Sequence, residues 1–516
     1  YHTYTVALFA LLAAAGMGLL LTRLVQWKAE ARWALLLAPV IPIMGFINNE
    51  QEASQRDRWF GWQYGYDMLA DLPPDSIVIG GTDPGRFVPT YMIFGESQQP
   101  ARNKHKADFD RHDLYIITQN AVGEKFYMKY IRDHYGKDRP TAANAFERWL
   151  GRDTQYPEKP IILPSEEEIL EIVETTGPDD PRRLDADLSN HVFSSVLKWI
   201  WEQNRGKHDF FVEESFPIRW TYDYAIPHGL LYQLLPEKVE SIPRDLIQQD
   251  FAFWDSYVTS LLRNPRYERD FDAQRSFSKL RNTTGNLYLH HELTKEAEKA
   301  YLQALELWAA NPETLISLAE LLWEQDRYEE VHEILGTAFA SDPNSEGIIA
   351  LAVVNEQRRK SAEELRTLRE RLSESPTDPS PLLRMLEIYG ALGDTDGIST
   401  LLDEWSTGFA DQVDVLRTLA DYAVAAELPA KERMLLEMWL AAEPNSSAAL
   451  KGLSILNAKQ GKAEDAVRYV ERALSLGDPR VADELRRDPD LCRAAEDLPA
   501  LQRLLQPAVP NSLNLP

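Results

Sequence analysis

The chain has 516 residues, 44% hydrophobic and 26% charged, with a formal net charge of −26 and one cysteine, Cys492. So acidic a surface repels phosphate backbones, which excludes nucleic acid as a partner and disfavours flat adsorption on anionic lipid. A single thiol excludes an internal disulfide and a cysteine-rich metal site.

The first element is apolar. Tyr4–Thr22 carries no charge before Arg23, and a helix of that length spans roughly 30 Å, the thickness of a bilayer core. A second apolar run, Trp33–Ile47, is shorter and broken by Pro39 and Pro42. The two read as transmembrane helices. Between them lie Arg23, Lys28 and Arg32 against one acid, Glu30, so the positive-inside rule puts this turn in the cytoplasm and the rest of the chain outside it. The rival reading is a signal peptide, but no basic n-region precedes the first run. The chain begins with Tyr1 rather than Met, and an N-terminus placed outside suits the C-terminal portion of a longer protein.

From about residue 50 to 265, strand and helix signals alternate, which predicts a small α/β domain. Arg58–Leu72 is an aromatic-rich helix that ends at Pro73-Pro74. Ser76–Ile79, Asp113–Thr118 and Pro160–Leu163 read as strands, Lys125–Tyr135 and Leu188–Asn204 as helices, and Phe211–Pro217 and Tyr222–Leu235 as short strands and turns. The junction Gly80-Gly81-Thr82-Asp83-Pro84-Gly85-Arg86 joins a strand to a helix. Gly81, Asp83, Gly85 and Arg86 are therefore the candidate ligand-binding residues. Glycines let backbone amides approach an anion, a helix N-terminus adds positive partial charge, and Arg86 can fork onto a phosphate or carboxylate. The competing reading is structural: Asp83 caps the helix, Pro84 takes its first position, and the glycines make the turn. The pattern is neither GxGxxG nor a Walker loop, so it implies no nucleotide.

The remaining polar clusters are weak. His290-His291-Glu292 lacks the spacing of a zinc helix. His191, His208 and His228 are scattered. Glu213 and Glu214 are adjacent on a strand, so they face opposite sides and cannot act as a pair. Asn282 and Asn445 open glycosylation sequons of the kind that arise often by chance. No metal and no cofactor is expected.

From about 266 to 480 a period appears. Pro312, Pro343, Pro376, Pro444 and Pro479 are separated by 31, 33, 68 and 35 residues, close to one or two lengths of the 34-residue tetratricopeptide unit. Small and large residues recur in step: Leu318-Ala319, Tyr328 and Ala338 in one unit, Leu419-Ala420 and Leu436 in another, Gly393 and Gly461 at turns. Five to six helix–turn–helix units are predicted, with a capping helix and frayed tail over 481–516. Such arrays hold a protein or peptide partner on their concave face; the alternative is that this one packs only on its own α/β domain.

Three stretches also carry a family resemblance: Arg58–Tyr91 with its Gly81-Thr82-Asp83-Pro84-Gly85 turn, Asp113–Asn120, and Phe211–Leu230. Over roughly residues 1–260 the chain resembles a bacterial family of multi-pass membrane proteins of unknown function, related to transmembrane protein O-mannosyltransferases of GT-C architecture. The resemblance implies a glycosyltransferase that moves a sugar, mannose by analogy, from a polyprenyl-phosphate donor to an acceptor protein outside the cytoplasm. It implies a catalytic acid in a loop that this chain does not contain, so no catalytic residue is assigned.

The expected fold class is thus mixed: two transmembrane helices (1–49), an extracytoplasmic α/β domain (50–265), an all-α tetratricopeptide-repeat solenoid (266–480) and a capping tail. The expected function is the C-terminal membrane and extracytoplasmic part of a GT-C-like glycosyltransferase, integral in membrane lipid on the periplasmic side, with repeats for acceptor or partner binding. The alternative is a membrane-anchored tetratricopeptide scaffold without catalytic activity.

Overall fold

A computed structural model describes residues 58–137, 157, 159–176, 186–497 and 499–506, with a few isolated positions before residue 45. The chain divides into two compact units. One takes it through Leu321 together with Thr337–Asn344; the other comprises Leu322–Gly336 and the chain from Ser345 onward.

The first unit is built on a five-stranded sheet of order β2-β1-β3-β5-β4: β1 Ile77–Gly80, β2 Tyr115–Thr118, β3 Phe210–Glu213, β4 Ala225–His228 and β5 Leu231–Leu234. β1 lies parallel to both β2 and β3, with Ile77 opposite Tyr115 and Phe210. β5 runs antiparallel to β3, and β4 closes the edge in a hairpin through Gly229, whose φ is +58°. β1 and β3 are buried along their whole length, as continuous apolar runs in parallel sheets should be. The connections from β1 go to β2 on one side and later to β3 on the other, so the strand order reverses at β1.

Helices cover this sheet. In chain order they are α1 Phe60–Leu69, α2 Asp83–Tyr91, α3 Lys125–Tyr135, α4 Glu166–Thr176, α5 Ala186–Asn204, the single turn α6 Arg219–Tyr222, α7 Arg244–Arg263 and α8 Phe271–His290. One apolar cluster joins Phe60, Tyr64 and Met68 of α1, Val78 of β1, Trp254 and Val258 of α7, and Phe277 and Leu280 of α8. Beside it sits a fully buried ion pair. Arg281 Nη1 donates to Asp250 Oδ2 at 2.7 Å, Tyr288 donates to the same oxygen at 2.7 Å, and Arg281 Nε donates to Gln303 Oε1 at 2.8 Å. The guanidinium also lies 4.8 Å from the Phe251 ring centre and 5.1 Å from that of Trp254. Neither charge reaches water, so each depends on the other for compensation.

Helix pairs follow: α8 with α9 (Thr294–Leu307), then α10 Pro312–Trp323, α11 Tyr328–Ser341, α12 Glu346–Glu374, α13 Pro379–Leu392, α14 Thr395–Trp405, α15 Val413–Ala425, α16 Pro429–Ala442, α17 Ser447–Lys459, α18 Ala463–Ser475, α19 Pro479–Arg487, α20 Pro489–Asp497 and α21 Pro499–Leu505. The turns inside the pairs are marked by left-handed residues: Glu292, Asp326, Gly393, Glu427 and Gly461. Glu292 and Asp326 are 34 residues apart, as are Gly393 and Glu427, and Glu427 and Gly461, while Asp326 and Gly393 are 67 apart, one residue short of two periods. The repeat region is therefore a tetratricopeptide-type array whose period is written in the backbone itself. Buried small residues keep the pairs close: Ala420, Ala423, Ala449, Ala466 and Ala473. A Cβ on Gly452 would come within 3.0 Å of Leu436.

One turn expected from the period is missing. The position near Lys360 falls inside α12, a single helix of 29 residues. Glu356 pairs there with Arg359 at 2.9 Å and with Lys360 at 3.1 Å, an i,i+3/i,i+4 pattern that supports continuous helix. Residues 356–374 contain no glycine, asparagine or aspartate, the residues that enter a left-handed turn at least cost.

The expected fold class needs correction. The described architecture is chiefly helical, with one small sheet. Two transmembrane helices are not part of it, because among the described residues no helix is long and apolar enough to cross a membrane. The stretches Tyr4–Thr22 and Trp33–Ile47 lie, apart from isolated positions, outside the described residues. Pro160–Leu163 is not a strand either. Ile161 is buried and its amide bonds the carbonyl of Tyr135 at 2.9 Å, the segment running as coil beside α3.

The ion pair gives a direct test. Arg281→Met leaves Asp250 as an uncompensated buried charge and is expected to cost about 3–5 kcal/mol in urea denaturation. The double variant Asp250→Asn/Arg281→Met should recover a large part of that loss.

Candidate functional site

The carboxyl ends of β1 and β3 open into a cleft of about 630 Å³. One wall is the turn after β1 (Gly81, Thr82, Asp83, Pro84), with Asn120 after β2 and Ser215 after β3; the other is α1 and the first two turns of α8. In open sheets with parallel strands, ligands collect at such a crevice, outside the strand ends where the strand order reverses.

The turn is organised around one buried carboxylate. Glu213 Oε2 accepts from the amides of Gly81 at 2.8 Å and Thr82 at 2.9 Å, and its Oε1 accepts from the Thr82 hydroxyl at 2.6 Å. The same hydroxyl caps α2, accepting from the Gly85 amide at 3.0 Å. Thr82, not Asp83, is thus the cap residue. Burial pushes the Glu213 carboxyl up from its ordinary value, while the Thr82 hydroxyl and the two amides pull it back.

This arrangement changes the meaning of the candidate residues. A Cβ on Gly81 would lie 2.2 Å from Gln119 Oε1 and from the Ser215 amide, and one on Gly85 would lie 1.7 Å from Glu213 Oε2. Both glycines are needed for close packing around Glu213, whose carboxylate occupies the place that an external anion would take at this turn. Asp83 projects to solvent, its side chain 78% exposed, and pairs with Arg86 Nη2 at 2.7 Å. Arg86 Nη1 reaches Asn120 Oδ1 at 3.4 Å, and its guanidinium lies 4.4 Å from the Phe87 ring centre. Gly81 and Asp83 line the cleft; Gly85 and Arg86 stand behind it.

Residues far apart in sequence complete the site: Phe60 and Tyr64 from α1, and Arg275, Phe277 and Lys279 from α8. Lys279 Nζ donates to the Ser215 carbonyl at 3.0 Å and meets Glu313 at 3.3 Å. Asp270 caps α8 by accepting from the Ala273 amide at 3.0 Å. Aromatic residues at 60 and 64 are visible in the sequence, but nothing local connects them with 275–279.

Glu214 faces the opposite way from Glu213, as strand alternation requires. It accepts from the hydroxyl of Tyr222 and, at 3.4 Å, from that of Tyr232. Burial pushes its carboxyl up to about 7 against the pull of those hydroxyls. The histidines hold structure. His208 Nδ1 meets the Asp75 carbonyl at 2.8 Å, His290 Nε2 meets Asp223 Oδ1 at 3.0 Å, and His291 Nε2 meets the Tyr222 carbonyl at 3.0 Å. Asn282 is buried on α8, closing that sequon in the folded state, whereas Asn445 is exposed.

No protein-family model matches the chain, and no curated protein matches it. Solved structures do. The tetratricopeptide protein YrrB, described as having an unusual peptide-binding site, aligns at 11% identity over 45% of this chain and 98% of its own, with a TM-score of 0.19. A tetratricopeptide repeat protein from Parabacteroides merdae ATCC 43184 aligns at 13% over 51% and 93%, TM-score 0.19. The P58(IPK) tetratricopeptide domain aligns at 14% over 51% and 66%, TM-score 0.17. Scores this low carry no argument of their own, and the repeat assignment rests on the 34-residue period of the turns. None of these comparisons supports a relation to GT-C mannosyltransferases or to a membrane family.

Two outcomes are expected from this geometry. Gly85→Ala forces its new methyl into the Glu213 carboxylate and should cost about 1–3 kcal/mol, read from chemical melts. Glu214 is protonated in the fold at pH values where the unfolded chain ionises it. Its contribution to stability is full below about pH 4.5 and is lost as pH rises to about 7. Glu214→Gln removes that dependence, so the stability of the variant relative to the parent should rise with pH across this window by on the order of 3 kcal/mol.

Proposed function

We propose that this protein is a non-catalytic scaffold that holds a protein or peptide partner on its tetratricopeptide-type helix pairs. The observation that carries this reading is the 34-residue spacing of the left-handed turns at Gly393, Glu427 and Gly461. Such a spacing repeats one helix pair in register, so equivalent side chains recur along one face of the array. On the first helix of successive pairs, Glu387 of α13 and Asp421 of α15 occupy equivalent positions, 34 residues apart, and both are exposed. With a net charge of −26, the chain favours encounter with a partner carrying excess positive charge.

Peptides selected from a random display library on the immobilised chain test this directly. Lysine- and arginine-rich ligands are expected, with binding that weakens as salt rises and falls about tenfold in Glu387→Lys/Asp421→Lys. Selected peptides that bind equally well to this variant, at an unchanged melting temperature, would move the partner surface away from these helices.

A further inference from the structure

We propose that the cleft at the carboxyl ends of β1 and β3 binds a small oxyanion with an apolar body, a carboxylate or phosphate monoester, through Arg275, Lys279 and Tyr64. The proposal does not rest on the scaffold reading, because the cleft uses only α8 of the first pair, whereas that reading is argued from the pairs around Gly393, Glu427 and Gly461.

Four observations carry it. The first is place: the cleft occupies the reversal of strand order at β1, and its volume of about 630 Å³ falls within the range of small-molecule sites. The second is Tyr64. It lines the cleft and is only 2% exposed, yet its hydroxyl has no hydrogen-bond partner among the described groups. A buried polar group without a partner costs free energy that a ligand oxygen would recover. Thr82 and Glu213 are its nearest polar groups, bonded to each other and outside good hydrogen-bond geometry from the Tyr64 hydroxyl.

The third observation is the balance of charges that remain available. Asp83 is paired with Arg86, and Asp270 with the Ala273 amide. Asp272 sits in the first turn of α8, where the helix end offsets its charge. Arg275 is exposed and makes no ion pair among the described residues. Lys279, whose ammonium donates to the Ser215 carbonyl and meets the exposed Glu313, stands one turn further along α8, so both cations lie on the same side of that helix and Arg275 is the one without an ion pair among the described residues. The fourth is the apolar lining. Phe60, Val88 and Phe277 also line the cleft, a surface for the apolar body of a ligand.

The test uses the full chain in isothermal titration with phenyl phosphate, phenylacetate, inorganic phosphate and benzyl alcohol. Saturable binding of phenyl phosphate or phenylacetate is expected, and which of the two binds tighter identifies the head group. Inorganic phosphate should bind more weakly, and benzyl alcohol not at all. Arg275→Glu, on an exposed position, should weaken the bound probe about tenfold or more, the scale of a lost charge-assisted hydrogen bond. Tyr64→Phe, which keeps the ring and so the core, should weaken it several-fold, and Lys295→Glu on α9 should leave it unchanged. Failure of both aryl anions to bind saturably at millimolar concentration would overturn the proposal. So would binding that Arg275→Glu leaves intact.

Discussion

A single carboxylate organises the sheet end of the first unit. Glu213 leaves the last residue of β3 and reaches across to the turn after β1, where it takes two backbone amides and a hydroxyl. Its burial raises the energy of the charged form, and the three donors offset that cost. Everything near the cleft follows from this contact. The turn can close only with glycine at 81 and 85, and Thr82 is drawn into the capping position that starts α2. β1 and β3 are held together at the end where the crevice opens. The Glu213 carboxyl takes the amides of Gly81 and Thr82, the kind of donors that hold a phosphate in nucleotide-binding turns.

The repeat region obeys a different constraint. No long-range polar contact is needed to set its period; close helix packing and a reversible turn suffice. Three of the five turn positions, Glu292, Asp326 and Glu427, adopt left-handed φ without glycine, at a local cost of roughly 1–2 kcal/mol each, which packing of the paired helices must offset. Where the turn residue is replaced by a run of charged side chains around Lys360, the chain continues as helix and α12 results. Its Asn355 then bonds the Trp323 indole at 2.8 Å and the Tyr328 carbonyl at 3.1 Å, a polar contact in place of the small-residue packing seen in the other pairs.

The two proposed kinds of recognition differ in their physics. The helix pairs offer a repeated surface on which affinity builds up from many equivalent positions. The cleft offers one open crevice in which a few groups would decide. The buried pair Arg281–Asp250 ties α7 to α8, and α8 carries both a wall of the cleft and one helix of the first pair. Its rigidity fixes α8, whose first turns face the cleft.

The sequence by itself determined whatever depends on local pattern. The proline spacing and the small residues at 420, 423 and 473 carry the repeat period, because stacking demands the same residue sizes every 34 positions. The apolar runs at 77–79 and 115–118 mark buried strands, and the opposed facing of Glu213 and Glu214 follows from strand geometry alone. Hydropathy scores a segment's composition alone, and among the described residues no helix is long and apolar enough to cross a membrane. Only the tertiary structure decided what Glu213 does: its partners at 81 and 82 lie more than a hundred residues away, and no pattern near residue 213 announces them. The same holds for Tyr64, Arg275 and Lys279, which line one cleft only because α1 and α8 pack against one core. A side chain's chemistry is written in its own residue, but its partners are chosen by the fold.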